Sequence, residues 1–216
     1  LEVQDVFAAC ADAYRQTHKL SLMQHKTVNA ILNCRTSSLG GHMDVCPKCG
    51  DTRISYNSCR NRHCPKCQTL AKERWIDSRK ADLLNVGYFH VVFTLPQELN
   101  AVIYSNQKDM YTLMFRCVAQ TIRELASDLK YLGAAIGLTA VLHTWGQNLY
   151  FHPHIHCIVP AGGLNKLGKW VDSKKKFFLP VKALSRKFRG KFLALLKLQK
   201  PDIDHSLLND CYNKEW

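Results

Sequence analysis

Apolar residues recur along this chain at two periods, about 3.6 and 2, and the alternation between them outlines the elements. Residues 3–17 place Val3, Val6, Phe7, Cys10 and Tyr14 at helical spacing, and 21–33 comes next with Val28, Ile31 and Leu32 inward. Residues 69–85 predict a third helix, with Trp75, Ile76, Leu83 and Leu84 apolar, linking a small leading module to the rest of the chain. Tyr88 to Leu95 is β-branched and aromatic and is stopped by Pro96, the pattern of a strand. A long helix is expected over about 106–130, with Met110, Leu113, Cys117, Ile122, Leu125 and Leu129 on one stripe and Ser105 or Asn106 as cap. Two strands come after it, 140–145 and 152–159, then short strands near Trp170 and Phe177–Leu179 after Gly162-Gly163. The helix at 181–198 turns Leu184, Phe188, Phe192, Leu195 and Leu196 inward. Strand, helix, hairpin, helix predicts an α+β sandwich, helices packed on an antiparallel sheet. No internal repeat or low-complexity tract interrupts it.

Length and composition add limits. With 216 residues, 46% of them hydrophobic, the chain has material for one good core and a smaller module. It holds no run of about 18 apolar residues, so no membrane partner is expected. The start, Leu1-Glu2-Val3-Gln4-Asp5, lacks the basic and apolar regions of a secretory signal. It also lacks an initiator Met and ends abruptly at Lys214-Glu215-Trp216, which suggests a fragment.

The net charge is +13, and +11 of it lies between Lys166 and Lys200, where twelve Lys or Arg face one acid, Asp172. A solvated helix face accounts for most such runs. The alternative is a polyanion contact, since basic surface gains affinity for phosphate backbones by releasing counterions. Lys174, Lys175, Lys176, Arg186, Lys187 and Arg189 are the candidates here. A cysteine-rich segment nearer the N-terminus, itself basic, favours nucleic acid.

Six of the ten cysteines fall between Cys34 and Cys67. Cys46-Pro47-Lys48-Cys49 and Cys64-Pro65-Lys66-Cys67 each have the bite that sets two thiolates on a tetrahedral zinc. Disulfides are the competing assignment, and nothing indicates the export that would favour them. Cys34, His42, Cys59 and His63 flank the two pairs and bring the ligand number to eight, enough for two zinc ions. The spacing predicts Cys46, Cys49, Cys64 and Cys67 on one ion and Cys34, His42, Cys59 and His63 on the other. Arg53, Arg60, Arg62 and Lys66 make the same segment basic. Cys10, Cys117, Cys157 and Cys211 read as core residues.

The chemistry of the second half lies in His152-Pro153-His154-Ile155-His156 and in His143, eleven residues before His154. On a strand, residues two apart share a face. A hairpin centred near Leu149-Tyr150 would set His143 opposite His156, Trp145 opposite His154 and Gln147 opposite His152. Three imidazoles then converge on a divalent ion with positions left open, a catalytic style of site. Partly buried sheet histidines or a structural zinc are the bland alternatives. His152 reads as a substrate contact or structural residue. A zincin protease and a zinc deaminase are both excluded by motif order and spacing.

Cys34-Arg35-Thr36, Leu39-Gly40-Gly41-His42, Cys46 to Gly50 and Tyr56 to Cys67 together resemble the N-terminal zinc-binding domain of insertion-sequence-91-type (ISCR-related) transposases. Tyr88 to Pro96, Leu142 to Gln147, His152 to His156 and Gly162-Gly163 extend the resemblance over nearly the whole chain. That family belongs to the HUH endonucleases. The resemblance implies a ferredoxin-like nuclease sheet with His154 and His156 as ligands, and Mg²⁺ or Mn²⁺ at the scissile phosphate of single-stranded DNA. It implies His143 as third ligand, with Gln147 the alternative, and a bacterial cytoplasmic protein associated with the nucleoid through DNA. The chain then divides into N-terminal helices (1–33), a zinc-binding domain (34–68), a linking helix (69–86) and an HUH nuclease domain (87–216). The family's nucleophile is a tyrosine pair four residues apart, C-terminal to the histidines. No two tyrosines here have that spacing, and Tyr212 is the only one after His156, so the nucleophile is expected to be absent. A zinc-containing DNA-binding module without catalysis, and a relaxase or replication initiator, are the competing functions. Metal-dependent nicking by the parent protein would exclude the first of these.

Overall fold

The computed structural model describes residues 1–174 and 178–216. The chain divides into two compact units, Leu1–Leu83 and Leu84–Trp216.

The first unit comprises α1 (Val3–Thr17), α2 (Leu22–Leu32), the hairpin β1 (Gly41–Val45) with β2 (Thr52–Tyr56), and α3 (Pro65–Ala81). Both leading helices begin on capping contacts, reciprocal between Ser21 and Gln24 and with Asp5 Oδ2 accepting from the Glu2 amide, which satisfy amides that have no partner inside a helix. Arg15 on α1 donates to Asn29 Oδ1 on α2 at 2.6 Å. The unit buries little: its core is Ile31, Cys34 and Cys64, with Phe7, Cys59 and Cys67 packed around them. Cys10, expected in the core, is exposed, because α1 buries none of its residues. The helix expected at 69–85 opens earlier, at Pro65, and closes at Ala81. Proline at the first helical position is pre-set for that start. Leu83 and Leu84 lie beyond its end and are about half exposed.

The second unit runs β3 (Tyr88–Thr94), α4 (Asn100–Ser105), α5 (Gln107–Ser127), β4 (Thr139–Trp145), β5 (Phe151–Pro160), the hairpin β6 (Gly162–Leu164) with β7 (Trp170–Asp172), α6 (Val181–Gln199) and α7 (His205–Asn213). Three strands form an antiparallel sheet in the order β3-β5-β4. The first strand thus lies beside the third, the arrangement of the ferredoxin-like fold, and the expected α+β class holds. Alternation along β5 sorts its side chains: Pro153, Ile155, Cys157 and Val159 are buried, whereas His152, His154 and His156 occupy the other face and stay half-exposed. The buried face meets α5 and α6 through Met110, Leu113, Met114 and Cys117 of one, and Phe188, Phe192 and Leu196 of the other. Phe192 is fully buried, and Phe192→Ala is expected to cost about 3–5 kcal/mol, measurable by urea unfolding of the second unit.

Three expectations change. The helix over 106–130 ends at Ser127, leaving Leu129 90% exposed. Of the strand expected at Phe177–Leu179, Phe177 lies outside the described residues, and Leu179 is a buried bend. Helix α7 is additional to the elements that periodicity predicts, although Asp204 caps it by accepting from the Ser206 amide, and Leu208 and Cys211 bury at helical spacing.

The register of the β4–β5 hairpin also differs. His143 pairs with His154, and Val141 with His156, two residues from the expected alignment. Gly146 closes the turn by donating to the Tyr150 carbonyl at 3.0 Å, so the tip is Gln147-Asn148-Leu149. Leu149 adopts φ of 62°, the left-handed residue that a three-residue hairpin loop requires. Between His143 and Trp145 the ladder then slips, with His152 and Pro153 opposite Thr144. That bulge accommodates Pro153 in a central strand, because proline has no N–H to give to a ladder.

Candidate functional site

Two clusters of metal-ligating side chains stand out among the described residues, one in each unit: Cys34, Cys59, Cys64 and Cys67, and His143, His154 and His156. Within each, the ligand atoms lie within 4.8 Å of one another.

Cys34 lies just past the end of α2, Cys59 just past β2, and Cys64 and Cys67 sit at the N-cap and in the first turn of α3. Cys34 Sγ and Cys59 Sγ each lie 3.6 Å from Cys67 Sγ. Four thiolates on one zinc, each about 2.3 Å from the ion, sit about 3.8 Å apart, so the cluster fits zinc closely. The backbone supports the sulfurs. Amides of Cys59, Arg60 and Asn61 point at Cys34, Cys67 and Cys59 respectively. Arg60 takes a φ of 52° at that bend. Burial pushes the Cys59 thiol up to about 12. Burial also acts to raise Cys67, but hydrogen bonds from the thiols of Cys34, Cys59 and Cys64 outweigh it and bring Cys67 down to about 7. The dipole of α3 favours negative charge at the same place.

The expected division of ligands is therefore redrawn. Cys34 and Cys59 join Cys64 and Cys67, while Cys46 and Cys49 lie at the turn of the β1–β2 hairpin. A Cys-x-x-Cys pair can share its ion with either of two partners, and spacing alone does not choose between them. Amides of Cys49 and Lys48 point at the Cys46 sulfur and hold its thiol below the ordinary range, the local form of a metal knuckle. His42 lies 3.8 Å from Asp44, and His63 accepts from Arg62 Nε at 3.2 Å, so neither belongs to the thiolate cluster.

The histidine cluster occupies the half-exposed face of the sheet. Ring centres of His143 and His156 are 4.4 Å apart, those of His154 and His156 4.9 Å, and those of His143 and His154 5.3 Å. His154 Nδ1 lies 2.7 Å from the His152 carbonyl oxygen. A carbonyl only accepts, so His154 carries its proton on Nδ1 and leaves Nε2 for a metal. Burial, then the neighbouring His143, His154 and His90, lowers the pKa of His156 and favours the neutral, ligating form. Trp145, about half exposed, lies parallel to His143 with ring centres 5.7 Å apart. Gln147 is exposed at the hairpin tip. The buried thiols Cys117 and Cys157 are pushed up to about 11 and about 12 by burial and stay inert.

The basic candidates separate into engaged and open groups. Lys66 pairs with Glu2 at 2.6 Å and Lys187 with Glu124 at 2.9 Å. Arg189 donates to the Lys214 carbonyl and lies 5.1 Å from the centre of the Tyr212 ring. Lys174 and Arg186 are exposed. Lys175 and Lys176 lie outside the described residues. In the first unit, a cavity of about 480 Å³ is lined by Arg35, Arg53 and Arg60 together with His42. Sequence reasoning misses Arg35, whose partners come from a hairpin that brings residues about twenty apart together. It misses His90 as well, although an imidazole at an outward position of an apolar strand is a period-two signal.

The family described as "Transposase zinc-binding domain" matches residues 6–95, and the family described as "Putative transposase" matches residues 137–216. A "Putative transposase y4qJ" of Sinorhizobium fredii is 52% identical over 198 residues, 91% of this chain and 50% of that protein. The transposase for insertion sequence element IS801 of Pseudomonas savastanoi pv. phaseolicola is 35% identical over 147 residues, 67% of this chain and 35% of that protein. The chain thus spans half or less of the length of these relatives. Among solved structures, the metal-bound conjugative relaxase TrwC in complex with oriT DNA aligns at TM-score 0.39 with 14% identity, over 53% of this chain and 44% of that one. The same relaxase with a 27-mer DNA aligns at 0.40 with 18% identity, over 53% and 45%.

Proposed function

The chain belongs to the insertion-sequence-91 (IS91) transposase family, and from that premise we propose that it is the metal- and DNA-binding half of a rolling-circle-type transposase. The observation that carries this is the convergence of His143, His154 and His156 on an open sheet face. Their three nitrogens fill only part of a coordination sphere. His143, His154 and His156 would hold a Mg²⁺ or Mn²⁺ ion, which would supply positive charge beside a phosphodiester oxygen. The histidines bind and orient, and the hydrogen bond from His154 to the His152 carbonyl fixes the nitrogen presented. Cys34, Cys59, Cys64 and Cys67 hold zinc with all four positions filled, which makes that ion structural. Arg35, Arg53 and Arg60 on the first unit, and Lys174 and Arg186 on the second, are the phosphate contacts. The substrate is single-stranded DNA at transposon ends.

The test is titration of this chain with Mn²⁺, read by electron paramagnetic resonance, with fluorescence anisotropy of a single-stranded oligonucleotide in parallel. One Mn²⁺ should bind beyond the zinc and tighten the DNA. Failure to bind Mn²⁺ would leave a DNA-binding module with structural histidines.

Two further results are expected. His143→Ala should weaken Mn²⁺ by more than ~10-fold, whereas Gln147→Ala should leave it unchanged, and the reverse order would make Gln147 the third ligand. Since no two tyrosines stand four apart, this 216-residue chain should bind a labelled oligonucleotide without becoming covalently attached to it. An adduct mapped to Tyr212 would name that residue as nucleophile.

A further inference from the structure

His90 on β3 adds a fourth imidazole to the open face of the sheet. Its cross-strand partner is Ile158, and His156 pairs with Val92, so the two histidines are diagonal neighbours on the same face. His90 Nε2 lies 2.7 Å from His156 Nδ1. The rings are within 6° of parallel with centres 5.0 Å apart. Face-to-face stacking at that distance would leave no N···N contact. Two coplanar imidazoles joined edge to edge, with each nitrogen about 1.1 Å from its ring centre, give about 5 Å between centres, which is what is found. The bond therefore lies in the plane of both rings, where N–H and lone pair align.

We propose that His90 is the positioning residue for the histidine metal site, fixing through this bond the ring angle of His156 and the nitrogen it offers. His156 must ligate through Nε2, because its Nδ1 faces His90. Ligation through Nε2 places the remaining proton on Nδ1, which donates to the lone pair of His90 Nε2. His90 is then the Nδ1–H tautomer. His154 is held in the same way by the His152 carbonyl. Both central ligands are thus oriented by a second group. His90 is not itself a ligand: the nitrogens that share one locus are those of His143, His154 and His156.

The inference rests on the proposed metal site, and one set of variants separates the two. Mn²⁺ affinity is measured for the full chain and for His90→Ala, His90→Gln and His154→Ala, with zinc content and the thermal melt confirming folding. His90→Ala should weaken Mn²⁺ by ~10–100-fold, the range for residues that orient ligands. His90→Gln, whose amide oxygen can accept from His156 Nδ1–H, should recover most of it. Long-range ¹H–¹⁵N spectra of the metal-free chain should show His156 Nδ1 shifted by its hydrogen bond to His90, and that shift lost in His90→Ala. Unchanged affinity in His90→Ala, an equal loss in the Gln variant, or a His156 Nδ1 resonance unaltered by His90→Ala would each overturn the role of His90. If His154→Ala binds Mn²⁺ as well as the unaltered chain, the metal site itself is refuted.

Discussion

Cys64→Ser will remove zinc from the N-terminal unit and unfold it, while Cys46→Ser will leave the four-thiolate zinc in place. The size of the first effect reflects how little else holds residues 1–83 together. Only Ile31, Cys34 and Cys64 form the buried core there, and two of these three are ligands. Neither α1 nor α3 buries a residue. A structural zinc contributes an apparent ~10–16 kcal/mol in small modules, more than such a core can replace. Zinc per chain and far-ultraviolet circular dichroism measure the outcome. A Cys64→Ser protein that kept its zinc and its helicity would refute the four-thiolate site. Loss of that zinc in Cys46→Ser would instead restore the pairing expected from spacing.

The second large effect concerns His154 and His156. The double variant His154→Ala/His156→Ala should lose Mn²⁺ binding by more than ~100-fold, since deleting a ligand costs more than disturbing one. Its DNA affinity should lose the Mn²⁺-dependent increment and keep the increment due to basic residues. Zinc content should not change, because the thiolate cluster shares no side chain with the histidines. Retention of the Mn²⁺ effect on DNA in this variant would place the functional ion elsewhere.

Much of this is visible in the chain before folding, for identifiable reasons. The period-two pattern of residues 88–95 and 152–159 is strong because one face packs on helices, and both strands form where expected. The trio of histidines can be named because the alternation survives even when the hairpin alignment is wrong by two: such a slip keeps every side chain on its face. The alignment itself depends on Leu149 entering a left-handed turn and on Pro153 occupying a bulge, and neither is encoded in periodicity. The cysteines show the converse. Their identity as ligands is clear from spacing, but which thiols share an ion depends on the path between α2 and α3. Charge indicates which residues are cationic and leaves their partners within the fold unstated. Lys66, Lys187 and Arg189 read as DNA contacts from the sequence, and in the fold each also has a partner of its own in Glu2, Glu124 and the Lys214 carbonyl.

The histidine trio contains no carboxylate. Hard ions such as Mg²⁺ favour oxygen donors, whereas three neutral imidazoles favour zinc and copper by the ordinary order of stability among divalent metals. Selection of the working ion at such a site falls to supply. The element required by the thiolates at one end of the chain is then a competitor at the other, so a preparation saturated with zinc should bind less Mn²⁺ at the histidines, and brief chelation weak enough to spare the thiolate site should restore that binding.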